Sequence, residues 1–570
     1  MRALGLVIFC LTLCSTQLHC QAVQWAKQAI SDGPIEGFDL VTDNDGNVYV
    51  AGDHTDPASF DNVVIDNEGR GTMFVTKYDP NGQALWSRSI RGSSSNQLRC
   101  MAFGNDAIYV SGYYYQTNDL SILDFGEFTV EGNPVGSLFI AEISTDGEWQ
   151  WVKIIQTTND PGTGQLTSPE EMLVLPSGDI IMSGYCTTSS VTIEGTVYPT
   201  NDLGSLFFAS YAEDGTFNWF KAGEQGGLDK IELALSDNGV FFGGEIEFFQ
   251  MVFDGDSLPH LENNIRSNVA LGEIDATGNL IWWWPAGSFE SAIKFGGLDV
   301  SPDGDLRVSL RTSGVNGVTI NGVKYDATEQ IETIFRIDGN GDVLSYVYAF
   351  SGWDFFTGST LLIKELINDN SGNTYITGRL EAPGANGFTP VFFGDTIGGQ
   401  GNWESFISAY DSNGSYLGVF PFSFPEANGG ECFTTEMAMD PSGQLIVTGY
   451  FRQNFTVGDI DLQAINQNQM FVVKLDPTLA FGTNPTGIQE HGAMTLRIYP
   501  NPTLDKVYFE YNEDMSGVDL VIRDLLGRQM MHRTTIMNRG ELDLSSLSNG
   551  SYVLSVITES GSQSQIIVKH

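Results

Sequence analysis

Residues 38–52 read FDLVTDNDGNVYVAG, and residues 74–87 read FVTKYDPNGQALWS. Each apolar run has strand length, and each Asp-x-x-Gly between runs is a turn. The Asp side chain caps that turn and the Gly takes its positive φ. One such stretch reads as four strands joined by short hairpins. Its third-strand motif returns at 139–147, 207–215, 269–278, 335–341, 406–414 and 471–476, which makes seven copies. The turn glycines (Gly82, Gly147, Gly215, Gly278, Gly341 and Gly414) are 63 to 73 residues apart. A second-strand glycine recurs at Gly52, Gly112, Gly184, Gly244, Gly378 and Gly449, with Leu310 in its place in the fifth copy.

Four-stranded units repeated at this period predict an all-β fold, a seven-bladed β-propeller in which each blade buries its faces against its neighbours. The two ends of the repeat fit a closed ring. Copy seven stops after its third strand at Leu475, Asp476 and Pro477, and residues 23–27 (VQWAK) form an orphan fourth strand like 85–88 (LWSR), 150–153 (QWVK) and 218–221 (NWFK). Residues 23–30 are therefore expected to complete the seventh blade and remove an exposed edge.

The composition agrees with this reading. Of 570 residues, 65 are Gly, too many for a helical protein, and only 17% are charged. The net charge is −44, with 20 basic and 62 acidic residues before residue 493. A polyanion of this kind repels nucleic acid and anionic lipid, so neither is an expected partner. At the start, Arg2 followed by an apolar run from Ala3 to Cys14 reads as a secretory signal over 1–21, cut near 20–22. No later segment is long and apolar enough for a transmembrane span. Cys100, Cys186 and Cys432 are odd in number and widely spaced, so neither a disulfide framework nor a zinc site is expected.

The runs 43–52 and 74–86 resemble the SBBP-type repeats of bacterial seven-bladed propellers, a resemblance that covers about residues 23–480 and implies a fold but no common activity. The spacing from Asp275 to Trp282 also resembles the tryptophan-docking motif of quinoprotein-type propellers, whose repeats are shorter. Beyond a linker at 481–492, residues 493–570 closely resemble the type A C-terminal sorting domain of the type IX (Por) secretion system of Bacteroidota. The matching residues are Tyr499, Pro500, Asn501, Pro502, Asp524, Gly527, the run 542–547, Gly550, Tyr552 and Lys569. The resemblance implies a small C-terminal β-sandwich, recognition by the type IX secretion machinery, and a destination that is secreted or at the outer cell surface.

No catalytic constellation stands out. The repeats contain only His54 and His260, neither in a nucleophile setting, and there is no phosphate loop or HExxH helix. Aligning the first strands places Asp39, Glu171, Glu232, Glu365 and Glu436 at one position, with Arg99 there in copy two and Gly297 in copy five. These five carboxylates are expected to ring one mouth of the central channel. They either bind a cation or basic group, or accept backbone N–H groups and lock adjacent blades. Asp43, Asp45 and Asn47, like Asp338, Asn340 and Asp342, alternate oxygen ligands as a calcium loop does. The same turns recur in nearly every copy without the distal Glu, so hairpin chemistry is the first reading and calcium the second. Trp283, Trp284 and Tyr113 to Tyr115 are extra to the repeat, and at least one of each set is expected to face outward or toward the channel mouth.

The reading that follows is a non-enzymatic binding or adhesion module with no cofactor and an unidentified extracellular ligand, such as a glycan or a protein. The alternative is an extracellular polysaccharide-directed hydrolase or lyase using the channel-mouth carboxylates.

Overall fold

The computed structural model describes residues 22–481 apart from gaps of up to ten residues, and parts of 496–569; the expected leader at 1–21 lies outside them. The chain forms two compact units, 1–483 and 484–570.

The first unit is all-β and propeller-like. Seven four-stranded antiparallel repeats follow one another, of which the first is Ile35–Thr42, Val48–His54, Thr72–Tyr78 and Ala84–Gly92. The later first strands are Asn96–Gly104, Thr167–Val174, Leu228–Leu235, Ile293–Val300, Leu361–Asn368 and Glu431–Met439. Each touches the next, and the last touches Ile35–Thr42 again. The third strands are the most enclosed: every residue of Thr72–Tyr78 and Gln469–Leu475 is buried. Each repeat thereby buries apolar faces on both sides.

Local chemistry builds the hairpins as the Asp-x-x-Gly pattern requires. Asp43 Oδ1 accepts the N–H groups of Asp45 and Asn47 at 3.0 and 2.9 Å, while Gly46 sits at φ +78°. Asp275, Asp338, Asp369, Asp411 and Asp440 repeat this arrangement. Repeats are then joined by tryptophans. The Nε1–H groups of Trp25, Trp86, Trp151, Trp219 and Trp282 donate to the carbonyls of Pro80, Thr145, Glu213, Ala276 and Gly339, each in the turn of the following repeat. The N-terminal strand Val23–Ser31 pairs with Gln469–Leu475, in register Ala26 with Val473, so Trp25 carries this docking from the seventh repeat to the first.

The connection between second and third strands departs from the short hairpin expected. It carries a small hairpin of its own, Ala58–Phe60 with Val63–Ile65 in the first repeat, and a corresponding one in each of the others. Ala58–Phe60 pairs with Val23–Ser31, and Ile122–Asp124, Ser190–Ile193 and Val318–Ile320 likewise pair with the fourth strand of the preceding repeat. These inserts extend the outer edges of those sheets, and they account for the long period.

In the second unit, one sheet holds Leu496–Tyr499, Lys506–Tyr511 and Arg539–Asp543, and the other Gln529–Thr535, Val518–Asp524, Gly550–Ile557 and Ser562–Lys569. Val507, Leu520, Ile522, Leu542, Leu544, Tyr552, Leu554 and Ile567 form a common core. Gln529–Thr535 and Arg539–Asp543 carry charged and polar residues at many positions, which hides their apolar alternation in the sequence.

Candidate functional site

Every innermost strand carries a β-bulge at the same place. The register shifts fall immediately before Asp39, Cys100, Glu171, Glu232, Gly297, Glu365 and Glu436. The second repeat therefore presents Cys100 at the carboxylate position, and Arg99 is the extra residue of the bulge. The count from the turn misplaces it because that turn is tighter, with Asn105 and Asp106 at φ +54° and +57°. A bulge turns two successive side chains toward one face. A second layer thus lies beside the carboxylates, occupied among others by Arg99, Glu170 and Lys364.

The structure brings the five carboxyls together around the inner strands. Burial raises Glu171 well above the usual carboxylate range, with Asp39, Glu436 and Glu232 adding repulsion. The same holds for Glu365 beside Glu232 and Glu436, and for Glu436 beside Asp39 and Glu232. Asp39 is pushed up to about 7 by burial, and Glu232 is raised by burial against the pull of Lys230.

Each carboxyl is also engaged by main chain. Leu40, Met172, Leu366 and Met437 donate their N–H groups to the carboxyl of the residue before them, at 2.6 to 3.0 Å. Where a repeat lacks its own carboxyl, the preceding repeat supplies one. Met101 N–H, after Cys100, donates to Asp39 at 2.5 Å, and Leu298 N–H, after Gly297, donates to Glu232 at 2.9 Å. The carboxyls thus satisfy N–H groups freed by the bulges and tie neighbouring repeats together. Burial moves all five carboxyls above the usual carboxylate range.

At the strand ends beyond the bulges, the residue after each second-strand glycine position contributes one side chain per repeat: Asp53, Tyr113, Tyr185, Glu245, Arg311, Arg379 and Tyr450. Tyr113 donates its hydroxyl to Gln97 at 2.7 Å and Arg99 pairs with Glu170 at 3.4 Å. Arg379 lies 4.8 Å from the Trp403 ring and 4.6 Å from the Phe433 ring, and Phe433 stacks on Tyr450 at 4.9 Å. The sequence reading missed this layer. Its signal is the fixed offset of one residue from the recurring glycine, which a search for conventional motifs does not register.

Asp43 Oδ2 accepts from Asn47 Nδ2 and the Tyr49 hydroxyl, at 2.7 and 2.9 Å, and Asp338 serves its own turn, so both loops are hairpin caps in this structure. Of the extra aromatics, Trp284 is buried against Trp282 and Tyr114 is buried in the core, while Trp283 and Tyr113 are half-buried and Tyr115 lies outside the described residues. Cys100, Cys186 and Cys432 are free and buried. Among the sorting-motif residues, Lys569 donates its ammonium to the carbonyls of Leu544 and Leu547 at 2.8 Å, and Tyr552 donates to Ser548 O at 2.6 Å. Tyr499, Asp524 and Gly550 lie on described strands; Pro500, Asn501, Pro502 and Gly527 lie outside the described residues.

Among known proteins, a 232-residue stretch is 23% identical to an uncharacterised WD repeat-containing protein of Acanthamoeba polyphaga mimivirus, covering 35% of this chain and 16% of that one. Similar solved structures include a virginiamycin B lyase of Staphylococcus aureus, 11% identical with a TM-score of 0.36 over 79% of this chain and 99% of that chain. PorZ, a surface component of the type IX secretion system of Porphyromonas gingivalis, is 10% identical with a TM-score of 0.21 over 96% and 100%. Scores of this size leave the topology to be argued from the strands themselves. Residues 497–570 match the secretion system C-terminal sorting domain family, a tail that marks this chain for export by type IX secretion.

Proposed function

We propose that the chain is an exported binding protein: a leader at 1–21 takes it across the inner membrane, the tail hands it to the type IX machinery, and a closed seven-bladed β-propeller is its cargo. The match of residues 497–570 to the sorting-domain family carries this reading. Closure of the propeller is supported by Val23–Ser31 pairing with Gln469–Leu475 and by Trp25 docking on the first repeat. The propeller acts by binding an extracellular ligand rather than by catalysis, a reading supported by the inner carboxyls' engagement with backbone N–H groups. In a bacterium with type IX machinery, the full chain is expected in the surface or medium fraction, and a chain ending at residue 492 in the periplasm. Equal distribution of the two chains would refute the export reading.

A further inference from the structure

We propose that the bulged ends of the inner strands in repeats four to seven bind a carboxylate-bearing sugar, a uronate unit of an acidic glycan, through Lys364, Arg311, Lys230 and Arg379 beside the Trp403–Phe433–Tyr450 stack. The inference rests on the binding reading above and names the ligand class for it.

The first observation is where the cations stand. The repeats hold three times as many acidic as basic residues, yet Lys230 and Lys364 stand on inner strands of repeats four and six, and Arg311 and Arg379 on the second strands of repeats five and six. Lys364 is the extra residue of the sixth bulge, and its ammonium lies within electrostatic reach of both Lys230 and Arg379. It makes no hydrogen bond and no ion pair with a described residue. Arg311, on the adjacent repeat, is in the same position: it faces Glu332 and Glu245 without bonding either. Burial lowers the pKa of both groups, so holding them charged and unpaired is costly to the fold. The carboxyls one layer below do not offset this fully, because burial and mutual repulsion favour their neutral forms. Lys230 already pairs with Glu232 at 3.4 Å and donates to the Phe295 and Gly296 carbonyls, so the two cations left for an incoming carboxylate to complete are Lys364 and Arg311.

The second observation is the aromatic stack. Trp403, Phe433 and Tyr450 are each half-buried, with Trp403 5.9 Å from Phe433 and the Arg379 guanidinium against both. Arg379 is thereby fixed in orientation, and a flat aromatic edge lies beside the cations. A pyranose carrying a carboxylate presents an apolar ring face and an anion within one unit, which matches that pairing of surfaces. A bare phosphate or a chloride would use the cations alone.

The test is calorimetric titration of the full chain with tri-galacturonate, its fully methyl-esterified form, and a neutral trigalactoside. Binding of tri-galacturonate alone is expected, with Lys364→Met weakening it on the order of tenfold to a hundredfold, as loss of a charge-assisted hydrogen bond does. Lys364→Arg should retain it. Lys364→Met removes an unpaired, half-buried charge, so its melting temperature should hold or rise, which separates a binding role from a structural one. Equal affinity for the methyl ester or the neutral sugar overturns the proposal while leaving the binding module in place. Binding of inorganic phosphate or an acidic peptide in preference to tri-galacturonate overturns it as well. Cleavage of tri-galacturonate with unchanged sensitivity to Lys364→Met supports the site and overturns the non-enzymatic reading instead.

Discussion

Gly82 stands at φ +82°, and a Cβ there would lie 2.6 Å from the Trp25 indole. The glycine thus meets two demands, a left-handed backbone and room for a ring from another repeat. Gly443 meets only the first: its φ is +79° and nothing lies within 4 Å of the added carbon. Gly443→Ala should therefore cost about 1 kcal/mol through the backbone alone. Gly82→Ala should cost visibly more, roughly 2–4 kcal/mol, because the indole must also move. Thermal melts of the two variants check this, and equal shifts would remove the docking argument. The turn and its positive φ are legible in Asp-x-x-Gly. The indole is not, since the residue that fills the space lies 57 positions away in the chain and belongs to a different repeat.

At the scale of elements, the strand Val23–Ser31 has more to do than complete a sheet. It pairs with Gln469–Leu475 on one side and Ala58–Phe60 on the other, and it carries Trp25, which is 8% exposed. Trp25→Ala is expected to cost on the order of 3–5 kcal/mol. Removing residues 22–31 should do worse, because it leaves the edge of Gln469–Leu475 open to pairing with another chain. Size-exclusion chromatography of the truncated protein should show oligomers or aggregate; a monomer as stable as the intact chain would contradict the closing role. The sequence announced this strand through its tryptophan. It gave no sign of the inserted hairpins, whose strands are two to four residues long and four of which lean on an edge supplied by the repeat before.

Across the whole molecule, the inner carboxyls and the turn aspartates pull stability in opposite directions with pH. Asp39, Glu171, Glu232, Glu365 and Glu436 have pKa values raised by burial, so the folded state holds protons that the unfolded chain releases. Stability from these groups is largest at low pH and falls as pH rises from about 4 toward 7, the value to which Asp39 is pushed. Asp43 and Asp440 are held below the usual range despite burial, by their hydrogen bonds and by lysines. Their contribution is present above about pH 4 and lost below it. The melting temperature should therefore peak in mildly acid solution and decline by several degrees toward pH 8. The combined variant Glu171→Gln, Glu436→Gln should flatten that decline; a curve still falling as steeply would show that the ring is not its source.

The sequence by itself determined the repeat, its turns, the N-terminal strand that pairs with Gln469–Leu475 and the export tail, because each depends on residues within one hairpin or one recurring offset. It also placed five carboxylates at one level, since equal spacing within equivalent strands survives folding. Only the tertiary structure decided what they do there. The bulges free backbone N–H groups that Asp39 and Glu232 reach across to satisfy in the next repeat, and they set Lys364 within electrostatic reach of Lys230 and Arg379. Burial and the proximity of like charges, which set the protonation of the ring and leave Lys364 and Arg311 unpaired, are properties of strands brought together from distant parts of the chain. No local pattern in the residues records them.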